Sequence, residues 1–380
     1  MAFSQLLKHE LQAIFSNPII LLTIFGGVFF YSILYPLPYS HQTPREQTVS
    51  VVNLDNSAVS RQLERMVDAT PQIKIVNRSY SIEEAKQRFL SGEVSGVFVI
   101  PRHFYKDLLL GRAPVISYAG DASFFLVYGT IVEGLSKASG TLAAQARVSR
   151  LLMEGESVSS ASSHHSALSS NLKPTFNPTV GYVDYVVPAV FVLILQQTLI
   201  MGVGILGGTQ KYGYGYWNKK SPLSIITVRT TIFAIIYYVL AMYYMGSSFE
   251  FYSIVRLASI EAILFILAPF ILASVFIGIV LGAILPRREL VTVVVLLSSM
   301  PLIFSAGFIW PTESLPELIV WLSECFPSTL AIQSFLAVNQ MGASLSEVIP
   351  KIAHLWGLVF CWGLIAFVTY KNALKQIEPA

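Results

Sequence analysis

The chain has 380 residues, of which 54% are hydrophobic and 12% charged, with a mean hydropathy of +0.61. Charged residues stand at about half the level of a soluble globular chain, which excludes a disordered tail, a collagen-like fibre and an ordinary cytosolic enzyme and leaves a polytopic membrane protein. A net charge of +3 is too weak to argue for nucleic acid and fits modest attraction to anionic membrane lipid, and two cysteines, Cys325 and Cys361, form no disulfide framework.

In chain order, Phe3, Leu6, Leu7, Leu11, Ile14 and Phe15 recur at helical spacing, with Lys8, His9, Glu10 and Gln12 on the opposite face, and Ser16-Asn17-Pro18 breaks the pattern. Residues 1–18 are expected to form an amphipathic helix at the membrane interface. The block 19–38 is long and apolar enough for a first span. Tyr35-Pro36-Leu37-Pro38 stands where a signal peptide would carry a small-residue cleavage site, so this span is expected to be retained.

Residues 39–184 are polar. Val49–Leu54 reads as a strand, Asp55-Asn56-Ser57 as a turn and cap, and Val59–Val67 as a helix. Ile73–Val76 is a second strand. Ser81-Ile82-Glu83-Glu84 is a capping box opening a helix through Leu90. Val97–Ile100 is a third strand, followed by a short helix from Pro101 to Leu110. Val115–Tyr118 is a fourth strand, and a long helix runs from Asp121 to about Leu152. Strands alternating with helices imply a layered α/β domain whose sheet order stays open. Glu154–Ser170 is rich in Ser, Gly and Ala and reads as a loop. His164-His165 lies in that loop with no further ligand fixed near it, so a solvated pair is expected rather than a metal site.

From Tyr185 the chain is apolar again, with spans expected at 185–206, 226–246, 261–285, 290–310 and 353–370. Residues 311–350 are too broken by prolines and polar residues to span cleanly and read as a hydrophobic hairpin dipping into the outer face. The fold class is a polytopic α-helical membrane protein with six transmembrane helices, an N-terminal interface helix and an inserted extracytoplasmic α/β domain.

Positive charge sets the orientation. With the N-terminus inside, Lys8, Lys211, Lys219, Lys220, Arg229, Arg287, Arg288, Lys371 and Lys375 fall inside, against Arg256 and Lys351 in the short outer loops. Both termini are then cytoplasmic and the 39–184 domain lies outside, in a multi-pass protein of the inner (plasma) membrane.

The chain has no G-x-x-x-x-G-K-[ST], H-E-x-x-H, G-x-S-x-G or C-x-x-C motif. No catalytic or metal-binding residue is expected, and an energy source has to come from a partner or an ion gradient. Gln196 and Gln197 place amides inside the second span, where they serve as glue between helices or line a dimer seam or substrate path. Glu261 opens the fourth span, where it lines that path or sits among headgroups. Gly204 and Gly208, like Gly278 and Gly282, are four apart and allow close helix packing. His354, near the start of the last span, reads as interfacial.

The layout of interface helix, span, large outer domain and five more spans resembles the permease subunit of ABC transporters of the type-2 exporter class. Val51-Val52-Asn53-Leu54-Asp55-Asn56-Ser57 and Ser60-Arg61-Gln62-Leu63 are similar to that family's opening strand and helix. Gly92–Pro101, with Phe104 and Gly111, resembles its third strand and the helix after it. Phe176-Asn177-Pro178 resembles its lead into the second span, and Ser221-Pro222-Leu223-Ser224 the end of its first cytoplasmic loop. Ser305-Ala306-Gly307-Phe308, Pro311, Leu315-Pro316, Pro327-Ser328-Thr329 and Gly342-Ala343 resemble its outer hairpin.

The resemblance implies a permease that dimerises with the same or a related chain and pairs with cytoplasmic ABC ATPase subunits. ATP and Mg would bind on those subunits, with no cofactor on this chain. The cargo would be a drug, lipid, glycan or similar hydrophobic molecule, and a periplasmic adaptor often works with members of this layout. One departure concerns the first cytoplasmic loop, which usually carries an acidic segment. Here Lys211, Tyr212, Tyr214, Tyr216, Trp217, Lys219 and Lys220 occupy it without an acid. Docking of the ATPase is then expected to use aromatic anchors and lysines, although the same residues suit a membrane interface.

Two rivals stand beside this reading. An ion-coupled carrier usually shows internal repeats and buried charges, and neither is evident in the C-terminal spans. A receptor or assembly protein binding through the outer domain would have no ATPase partner.

Overall fold

The computed structural model describes residues 3–39, 44–160, 175–177, 181–211 and 221–375. They divide into two compact units, Met1–Ser40 with Thr175–Ala380, and His41–Pro174.

Helix α1 (Phe3–Phe15) buries Leu6, Glu10 and Ile14, four residues apart on one face, and leaves Phe3 and Phe15 exposed. This corrects the polar face expected from the sequence. Glu10 sits in the middle of the buried stripe, because a basic partner far along the chain neutralises it there. Asn17 accepts from the backbone N–H groups of Ile19 and Ile20 and caps the span α2 (Pro18–Tyr39), with Pro18 in the first helical turn. A π-helical turn occupies Leu22–Gly26 within it.

The inserted unit contains β1 (Gln47–Asn53), α3 (Ala58–Asp68), β2 (Ile73–Arg78), α4 (Ile82–Leu90), β3 (Gly96–Ile100), α5 (Phe104–Leu109), β4 (Ser117–Gly120) and α6 (Phe125–Met153). The sheet order is β2-β1-β3-β4, with β1 parallel to β2 and β3, and β4 antiparallel to β3. Alternation along the strands builds two cores. Val49, Val51, Phe98 and Ile100 pack with Leu63 of α3 and with Ile131 and Leu135 of α6, while Val52 and Val97 pack with Ala85 of α4.

Asn53 closes the turn out of β1. Its Oδ1 accepts from the backbone of Asp55 and Asn56, and its Nδ2 donates to Glu64 at 2.6 Å. Ser57 caps α3, and Ser81 caps α4 while Glu84 accepts from the Tyr80 N–H. The fourth strand lies two residues later than expected. Its register is set by pairing of Gly120 with Gly96, across which the Tyr118 ring lies, and Val115 is left exposed. Residues 158–160, within the expected loop, are helical, and His164-His165 falls outside the described residues.

The remaining helices are α7 (Val186–Gln210), α8 (Pro222–Phe251), α9 (Ile260–Ile284), α10 (Glu289–Ser305), α11 (Glu317–Glu324), α12 (Pro327–Asn339) and α13 (Leu345–Lys375). Helix α7 is apolar all round and is accordingly buried along nearly its whole length. Helices α2 and α13 keep large apolar side chains such as Phe30, Ile33, Phe360 and Leu364 exposed.

Among the described residues five helices, α2, α7, α8, α9 and α13, are long and apolar enough to cross a membrane. The α11–α12 pair, bent by 94°, would make a sixth if it counts as one span. The count among the described residues is therefore five to six, and the span expected at 290–310 is shorter than expected. Helix α10 has 17 residues, about 25 Å at 1.5 Å per residue, against a hydrocarbon core of about 30 Å. It stops at Ser305 because Gly307 turns the backbone to φ +91° and Pro311 follows.

Candidate functional site

Polar side chains converge at the end of the helical unit where the 211–220 connection between α7 and α8 leaves it. Arg229, about two turns into α8, donates from Nε to Glu10 Oε1 and from Nη2 to Gln210 Oε1, both at 2.5 Å. Glu10 and Arg229 are each 1% exposed. Tyr370 of α13 is buried within reach of both charges. A buried pair is stabilising only when its charges are matched and its remaining protons are accepted. Here α1, the last residue of α7 and the second turn of α8 are held by one guanidinium.

Neighbouring contacts fix the other strands of the same end. Lys211 Nζ donates to the carbonyl of Ala283 at 2.7 Å and to that of Leu285 at 3.3 Å, capping the C-terminus of α9. Arg288 Nη1 reaches Thr209 Oγ1 at 3.4 Å. Ser221 caps α8 by accepting from the Ser224 N–H, with Pro222 at its first position, so Ser221-Pro222-Leu223-Ser224 is a helix start. Both ends of the 211–220 connection are thus anchored. Of the seven residues assigned to docking, Lys211 is described. Tyr212, Tyr214, Tyr216, Trp217, Lys219 and Lys220 lie outside the described residues.

Helices α7 and α9 touch backbone to backbone. A Cβ on Gly282 would lie 2.8 Å from the Gly204 carbonyl oxygen, and one on Gly278 would lie 3.0 Å from the Ile200 carbonyl oxygen. Gly208 turns elsewhere, under the Arg288 backbone, and Gly207 takes its place against Gly282. The spacing of four picks out Gly204 and Gly208, but residues three apart share the face toward α9.

Gln196 is 1% exposed, and its Oε1 accepts from the Ser328 N–H at 2.6 Å, satisfying a donor at the start of α12. Within this chain it is glue between α7 and the bent helix pair. Gln197 is half-buried. Glu261 is exposed in the first turn of α9, and no hydrogen bond or ion pair among the described residues joins it to Gln196. His354 is half-exposed, 4.0 Å from Glu324. Sequence reasoning missed Glu10 and Gln210 as members of the site. Glu10 in an otherwise apolar i, i+4 stripe with Leu6 and Ile14 was the available signal.

Residues 18–368 match the family model described as ABC-2 family transporter protein. The chain belongs to that family and is a membrane subunit of an ABC transporter, not itself catalytic. No curated protein matches it.

Proposed function

We propose that the chain is the membrane-spanning subunit of an ATP-driven exporter that moves a hydrophobic or amphipathic cargo out of the cytoplasm or inner membrane. A separate cytoplasmic ABC ATPase binds ATP and Mg and supplies the energy. The observation that carries this is the family match, which runs from the first span to the last. In this scheme the 211–220 connection is cytoplasmic and receives the ATPase. The Glu10–Arg229–Gln210 cluster makes the interface helix and both flanks of that connection move together. Alternating access requires the ATPase to favour one of two packings of the permease and its second chain.

The tagged chain is purified in mild detergent with and without non-hydrolysable ATP. A stoichiometric P-loop ATPase is expected to co-purify, and its absence after gentle crosslinking would remove the proposal's main support. Trp217→Ala with Tyr214→Ala is expected to uncouple hydrolysis from transport. Unchanged co-purification and transport in that double variant would count against docking at this connection.

A further inference from the structure

The inserted unit carries an open groove. It runs between α6 on one side and α3 and α5 on the other. Two adjoining cavities of about 390 and 520 Å³ form it and share Leu108, Leu142, Ala146 and Arg150. Buried Leu63, Phe104 and Leu142 make its floor. Along its edge Tyr105, Leu109 and Met153 stay exposed, Met153 at 78%. Apolar side chains gathered at one exposed place mark a binding surface.

One end of the groove is basic. Arg112, Arg147 and Arg150 line the same cavity. Asp107 faces Arg112 at 3.5 Å and Glu154 faces Arg150 at 3.6 Å. Arg147 has no carboxylate partner among the described residues. The Arg150 guanidinium lies over the Gly111 turn, where a Cβ on Gly111 would come within 2.0 Å of Nη1. Gly111 itself has φ +69°, a turn conformation that favours glycine.

An apolar trough that ends at an unneutralised guanidinium is complementary to a molecule with an apolar chain and an anionic head. We propose that the groove binds a single-chain anionic amphiphile. The tail lies along Leu108, Leu142 and Met153, and the head meets Arg147 and Arg150. Burial of the tail supplies most of the affinity. The arginines orient the molecule and discriminate against neutral amphiphiles. Binding there is independent of the direction and energy source of transport.

The test uses the full chain in phosphatidylcholine nanodiscs. The probe is a diazirine-bearing palmitate, with the matching diazirine-bearing hexadecanol as its neutral counterpart. After illumination, peptide mapping is expected to find palmitate label within residues 104–114 and 139–153, competed by unlabelled palmitate. Arg147→Glu with Arg150→Glu is expected to reduce that label about tenfold, or ~1.4 kcal/mol, and to leave label on the membrane helices unchanged. Arg147→Glu alone changes an exposed residue and is expected to lower the groove label without disturbing the Gly111 turn. Equal groove labelling by the two probes, label confined to membrane helices, or groove label unchanged in both variants would overturn the proposal. Crosslinks from the groove to residues 161–174 of the same chain in ligand-free protein would also overturn it, by naming a different occupant.

Discussion

Arg229→Met is the most informative perturbation of the buried pair. It leaves the Glu10 carboxylate at 1% exposure, with its Oε2 already lacking a hydrogen-bond partner among the described residues. Removing one member of a buried ion pair costs about 3–5 kcal/mol, because the survivor stays charged and dry. Glu10→Leu is expected to cost a similar amount by removing the carboxylate that faces the buried guanidinium. Replacing both with apolar residues removes the charges together and is often close to neutral. The double variant should therefore be more stable than either single one, and the cycle should show strong coupling. Thermal unfolding of the purified chain in one detergent, followed by intrinsic fluorescence, gives the ranking, with losses of several degrees in the single variants. A double variant that loses the sum of the two, or an Arg229→Met chain that melts with the wild type, would refute a neutralising pair. Stability and coupling separate in the same experiment. Under the proposed coupling, the double variant should regain its melting temperature but not stimulate the ATPase, since the Glu10–Arg229 pair then no longer ties α1 to α8.

Three further outcomes follow from the packing. Gly282→Ala should destabilise by about 1–3 kcal/mol, because the new Cβ meets the Gly204 carbonyl oxygen at 2.8 Å and backbone cannot move aside cheaply. Gly357→Ala, in open space on α13, should instead be neutral or stabilising by up to about 1 kcal/mol through helix propensity; a melting-temperature comparison that ranks the two the other way would contradict the α7–α9 contact. Gln196→Leu should cost about 1–3 kcal/mol by leaving the buried Ser328 N–H unsatisfied. It should also speed maleimide labelling of the exposed Cys325 beside α12 in a Cys361→Ser background, and an unchanged rate would mean that Gln196 does not hold the bent pair.

The last outcome concerns pH. Burial, followed by the nearby Tyr128, pushes the Tyr118 hydroxyl up to about 12. Between about pH 10 and pH 12 an unfolded tyrosine gives up its proton while the folded one keeps it. Stability therefore falls with rising pH across that window and is untouched below it. Tyr118→Phe should flatten that part of the slope in urea unfolding, and an identical slope in the variant would disprove the assignment.

Much of the molecule follows from short-range rules. The apolar blocks identify the long helices because lipid leaves a backbone no other partner. Asn17-Pro18, Ser57, Ser81 and Ser221-Pro222 mark helix starts because a cap and its N–H groups lie within four residues of each other. The order of strands and helices in the inserted unit was legible for the same reason. Tertiary structure alone decided what depends on distant closure. The two members of the buried pair are 219 positions apart, so the stripe of Leu6, Glu10 and Ile14 could signal a buried Glu10 but not name Arg229 as its partner. Gln196 meets Ser328 across 132 positions. The exchange of Gly207 for Gly208 depends on how α7 is rotated toward α9. The arginine-rimmed groove of the inserted unit joins residues 104–114 to residues 139–153. A groove of that kind is made by packing between elements, which periodicity within one element does not encode.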